Sequence, residues 1–127
     1  MMQVPISPGE LIDKITILEI KQQRLHHPEK LENVTRELAL LKTVLRKEVL
    51  PLPEISALTL KLRAINEALW DIEDAIRECE RQENFGDAFI DLARSVYRKN
   101  DERSGVKRDI NRLLDADIIE EKSYAEY

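Results

Sequence analysis

At 127 residues, with 43% hydrophobic, 35% charged and only 5% aromatic content, three Gly and five Pro, the chain has the profile of one domain of amphipathic helices and a poor one for a β-sandwich or barrel. The formal net charge of -5, with mixed signs and periodic aliphatic residues, excludes disorder, and a pI of 5.2 without an extended basic face speaks against nucleic acid. No apolar run approaches the ~20 residues of a membrane span and no signal-peptide pattern opens the chain; lone Cys79 forms no internal disulfide, so a cytoplasmic protein without membrane insertion is expected.

Proline and glycine divide the chain into four predicted helices, an all-α antiparallel four-helix bundle forming a single domain over 1–127. Ser7-Pro8-Gly9-Glu10 reads as a capping box, with Ser7 accepting from the Glu10 amide, Pro8 at the first helical position and Glu10 reaching back. The first helix should run from about 8 to 25, until His26-His27-Pro28 breaks it. Pro28 opens the second, about 28 to 48, where Leu31, Val34, Leu38, Leu41 and Leu45 recur at helical spacing until Pro51 and Pro53.

The third helix, about 53 to 83, carries Leu58, Leu62, Ile65, Leu69, Ile72, Ile76 and Cys79 in steps of four and three, a seam that wants a helical partner. After Asn84-Phe85-Gly86 the fourth, about 86 to 114, continues the rhythm with Phe89, Leu92, Val96, Arg103, Ile110 and Leu114. An ordered but irregular tail is expected over 115–127. The two long helices reach roughly 45 Å and the two short ones about 27 Å, so the short pair cannot cover the long pair. The first two helices should lie beside the first half of the third and the last half of the fourth. That leaves Ile76, Phe85, Phe89 and Leu92 uncovered, a patch suited to a homodimer or a protein partner; the competing reading is a short, frayed tip.

The fourth helix breaks its own pattern, because Asn100, Arg103 and Lys107 fall on the stripe centred on Val96. Counting across the turns puts Asn66 and Glu73 of the third helix and Glu19 of the first near Arg103, with Gln22 beside Glu19. One reading is a structural layer in which Glu19, Glu73, Asn66, Asn100 and Gln22 pair with Arg103 and Lys107 and fix helix register. The other is a site for a carboxylate or phosphate on Arg103 and Lys107, with Arg108 and Arg112 near by and Trp70 as a stacking wall.

Enzyme signatures are sparse. There is no Glu-x-x-His pair for a di-iron centre and no glycine-rich phosphate loop. His26 and His27 sit at a proline turn where a surface loop is far commoner than a metal site, and Asp71, Asp74 and Glu78 fall towards a solvated face. No metal and no cofactor is expected, and the balance leans away from catalysis.

Four stretches carry a resemblance: ISPGELIDKITILEIK at Ile6 to Lys21, INEALWDIEDAIR at Ile65 to Arg77, LARSVYRKND at Leu92 to Asp101, and EEKSY at Glu120 to Tyr124. Together they resemble a small bacterial family of uncharacterised all-helical proteins, domain-of-unknown-function family 6165, over nearly the whole chain. The Leu69-Trp70-x-x-Glu73-Asp74 segment with Lys107-Arg108-x-Ile110-Asn111 is also similar to a second uncharacterised bacterial family. The resemblance implies a bacterial cytoplasmic protein, linked in some members to glycosyltransferase and surface-polysaccharide genes, and carries no catalytic residues over. Two functions stay open: a non-catalytic helical accessory or interaction module, and a small anionic-ligand-binding protein or enzyme centred on Arg103 and Lys107.

Overall fold

A computed structural model describes residues 1–116 and 121–127 of the chain, so part of the expected irregular tail, including Glu120 of EEKSY, lies outside the described residues. The described residues form an all-helical, bundle-like fold with no strand: α1 (Pro8–Arg24), α2 (Pro28–Glu48), α3 (Pro53–Arg81) and α4 (Asp87–Leu113). Pro8, Pro28 and Pro53 each occupy the first helical turn, where the missing N–H costs nothing and the fixed φ favours the helix. At α1, Ser7 accepts from the Glu10 amide at 3.2 Å. The reciprocal half of the expected capping box is replaced, because the Glu10 carboxylate turns to Lys107, 2.8 Å away.

At the far end of α3, Glu83 adopts φ 53° and the Asn84 amide donates to the Cys79 carbonyl at 2.8 Å. This left-handed residue ends the helix at Arg81, two residues before the end expected at about 83. Asn84 Oδ1 then accepts from the Gly86 amide at 3.2 Å and leads the chain into α4.

Packing is organised by α1, which touches α2, α3 and α4. On one side Ile12 joins Ile55, Leu62, Ile65, Val106 and Ile110 in a core shared with α3 and α4. On the other side Leu11, Ile15 and Leu18 meet Val34 and Leu38 of α2. Each such side chain contributes about 1.5 to 3 kcal/mol of burial, so a helix apolar on both flanks gains most from a central position.

The arrangement differs in one respect from the expected pairing of α1 and α2 side by side on the long hairpin. α2 packs along the outer side of α1, and only its end, Leu45 and Val49, reaches the edge of the core with α3 and α4. α1 runs antiparallel to α4, with Gly9 beside Asn111 and Asp13 beside Arg103. Beyond that level only Arg24 of α1 and the C-terminal tail touch the start of the exposed α3–α4 hairpin, at Trp70, Asp71, Tyr97, Arg98 and Asp101, among the described residues, and no residue of α3 after Asn66 and none of α4 before Val106 is buried.

Candidate functional site

The polar residues of α4 meet α1 at a closed network centred on Asp13, a residue 1% exposed. Arg103 forks onto its carboxylate: Nε donates to Oδ1 at 2.9 Å and a terminal nitrogen donates to Oδ2. Asn66 Nδ2 donates to the same Oδ1 at 2.9 Å and to the Thr16 hydroxyl at 2.9 Å, and that hydroxyl donates to the Asp13 carbonyl at 2.8 Å. Lys107 lies 4.0 Å from Asp13 Oδ2 and binds Glu10 at 2.8 Å. A planar guanidinium suits a buried carboxylate, since two of its N–H donors serve both Asp13 oxygens at once while the rest of the group stays near the surface, 28% exposed. Among the described residues no buried side-chain nitrogen or oxygen is without a hydrogen-bond partner.

The helices are held close at this level by Gly9. Its amide donates to Asn111 Oδ1 at 2.8 Å, and a Cβ built on it would stand 2.5 Å from the Lys107 carbonyl oxygen. Asn111, itself 1% exposed, thereby satisfies one of the open amides at the start of α1 from a different helix.

Of the residues singled out by periodicity, Asn66, Arg103 and Lys107 belong to this network. Glu19 does not: it pairs with Arg63 at 3.0 Å, a second α1–α3 link whose arginine also binds Glu67 at 3.1 Å. Glu73 is exposed and pairs with Arg77 one turn on, at 3.3 Å. Gln22 is exposed and reaches Thr35 of α2. Trp70 carries the Arg24 guanidinium 5.9 Å from its ring centre, while Arg24 pairs with Asp71; that carboxylate raises the arginine pKa. Trp70 does not line the cleft beside Arg103. Arg108 pairs with Glu121 at 3.0 Å. His26 and His27 are exposed, and among the described residues no three His, Cys, Asp or Glu side chains are placed to hold a metal ion.

Asp13, Thr16, Gly9 and Asn111 were not singled out by the α4 pattern. The usable signal lay in α1, where Leu11, Ile12, Ile15, Leu18 and Ile20 occupy several sides of the helix. A helix enclosed on several sides must bury and pair an acid standing among them.

Beside the network, α4 and the C-terminal tail border a cleft of about 400 Å³ lined in part by Asn100, Arg103, Ser104, Lys107 and Lys122. Lys122 binds Asp101 at 2.6 Å, and Tyr127 packs on Tyr97 with ring centres 5.1 Å apart and under the Arg98 guanidinium. Hydrogen bonds from Lys122 and then Tyr127 hold the Asp101 carboxyl below its ordinary pKa, and the same contact raises that of the Tyr127 hydroxyl.

The uncovered patch consists of half-buried Ile76, Phe89 and Leu92 with exposed Phe85. Phe85 and Phe89 meet edge to face with centres 5.4 Å apart. Phe85 keeps 52% and Ile90 50% of their surface exposed. Among the described residues, no helix is long and apolar enough to cross a membrane.

The chain belongs to a family of unknown function, DUF6165, whose match covers residues 2–127. Comparisons with curated proteins and with solved structures find no match.

Proposed function

Within that family, we propose that the chain is a non-catalytic helical interaction module of the bacterial cytoplasm, and that it forms a homodimer through the distal α3–α4 hairpin. The observation that carries this reading is the end of burial at Asn66 in α3 and its resumption only at Val106 in α4, while Ile72, Ile76, Phe89, Leu92 and Val96 continue the apolar seam between them. Two helices alone cover only one side of such a seam, and about 20 Å of hairpin remains to be covered from outside. The in-chain carboxylates on Arg103 and Lys107 support a structural role for the polar layer. The glycosyltransferase link implied by the family resemblance fits an accessory that docks on other proteins.

Light scattering on the purified wild-type chain should give twice the 14.8 kDa chain mass. Phe89→Asp should reduce the mass to one chain while the circular-dichroism spectrum stays helical. A wild-type chain that remains single at high micromolar concentration contradicts the reading.

One observation favours a second function, the cleft bordered by Arg103, Lys107 and Lys122. Each of these cations already faces a carboxylate: Asp13, Glu10 and Asp101 respectively. Millimolar phosphate, citrate or a nucleotide-sugar should consequently leave the melting temperature unchanged. A rise that is lost in Lys107→Met would establish an anion site instead, because a ligand stabilises only the state that binds it.

A further inference from the structure

We propose that the two hairpins of the dimer lie antiparallel, so that the acidic tip of one chain rests against the basic stretch of α4 in the other. The inference deepens the homodimer reading and rests on it. Residues 71–91 hold eight Asp and Glu against two Arg, while residues 92–112 hold seven Arg and Lys against three Asp and Glu. Within the chain Asp71, Glu73 and Glu78 pair with Arg24, Arg77 and Arg81, and Lys99, Arg103, Lys107 and Arg108 pair with Glu102, Asp13, Glu10 and Glu121, so the charge available to a partner lies on the other tip acids and on Arg94 and Arg98. Asp74, Glu80, Glu83, Asp87 and Asp91 are exposed around the apolar patch.

Helix electrostatics account for only part of this pattern. Asp87 and Asp91 suit the positive start of α4, but Glu78, Glu80 and Glu83 stand at the negative end of α3, where cations are favoured. A partner that brings positive charge to the tip removes that conflict. Tip-to-tip packing of two copies would bring the acids together. Antiparallel packing over the full uncovered length instead places the 83–86 turn of one chain beside the level of Ile72 and Tyr97 in the other. With the tip laid against the α4 face, away from Asp71, Glu73 and Asp74 of α3 at the same level, Glu80, Glu83 and Asp87 face Arg94 and Arg98, both exposed, the latter beside Tyr127 of its own chain. Such rim charges add little affinity but set orientation, because like charges in register are penalised heavily.

Two charge-reversed chains test the arrangement: a tip variant, Glu80→Lys with Glu83→Lys, and a base variant, Arg94→Glu with Arg98→Glu. All four positions are exposed, so each chain should keep the wild-type helical spectrum. Each variant alone should dimerise at least about tenfold more weakly than wild type, because its tip and base now share a sign. An equimolar mixture should recover dimers of wild-type stability at low salt, since both tip-to-base contacts are again of opposite sign. A tip variant that dimerises more tightly than wild type overturns the proposal in favour of tip-to-tip packing. A wild-type dimer that Phe89→Asp dissociates, but that neither reversal weakens or whose mixture stays weak, overturns the arrangement and leaves the homodimer reading standing. A single-chain wild type removes both.

Discussion

Arg103→Ala is expected to lower the unfolding free energy by about 3 to 5 kcal/mol in urea titrations. The reason lies in Asp13 rather than in the lost arginine contacts. Asp13 is 1% exposed, and without the guanidinium its charge keeps only Asn66 and the more distant Lys107, at 4.0 Å. A buried charge deprived of its main partner retains its desolvation cost with little left to offset it. Arg103→Met combined with Asp13→Leu should recover a substantial part of the loss, because apolar residues of similar volume commonly replace a buried ion pair without penalty. Arg103→Met combined with Glu19→Met should recover none, since Glu19 belongs to Arg63. An Arg103→Ala chain as stable as wild type would mean that the Asp13 pair does not form.

Gly9→Ala is the second large effect, at or above the upper end of the roughly 1 to 3 kcal/mol typical of overpacking. The new methyl would lie 2.5 Å from the Lys107 carbonyl oxygen and 2.9 Å from Asn111 Oδ1. The nearer atom belongs to a helix backbone and cannot swing aside, so α1 would have to lift from α4 and stretch the Gly9–Asn111 hydrogen bond. Gly105 supplies the control, because a Cβ there meets nothing within 4 Å. Gly105→Ala should raise stability by about 0.5 to 1 kcal/mol through helix propensity alone. Equal effects at the two glycines would contradict the close approach of the helices.

Local punctuation made the helices legible. Pro8, Pro28 and Pro53 announce three helix starts by themselves, and the spacing of Leu62, Ile65 and Ile110 identifies buried positions. Level counting across the Asn84 turn also brings Asn66 and Arg103 to one height, where they share the Asp13 carboxylate. The carboxylate itself was hidden by a two-sided picture of α1. Periodicity on one helix says which face is apolar, but not that a second helix will cover the opposite face. With α2 covering Leu11, Ile15 and Leu18 on one side of α1, α3 and α4 close over the other, where Asn66 and Arg103 enclose Asp13, and Glu19 is left at an edge within reach of Arg63. Glu73 illustrates a different limit: it flanks the α3 seam, yet Arg77 is one turn away and needs no tertiary rearrangement to reach it.

The uncovered hairpin was visible in helix lengths alone, because α3 and α4 have 29 and 27 residues against 17 for α1. The homodimer we propose for it rests on that length together with the apolar seam and the division of charge along it. Hydrogen exchange across a dilution series tests the central claim most directly, since it locates the protected residues and reports whether protection depends on a second chain. As wild type is diluted from high micromolar to low nanomolar concentration, amides of residues 72–96 should lose protection while those of α1 and of α4 after Val106 keep theirs. Exchange in 72–96 that is independent of concentration throughout that range would contradict the account.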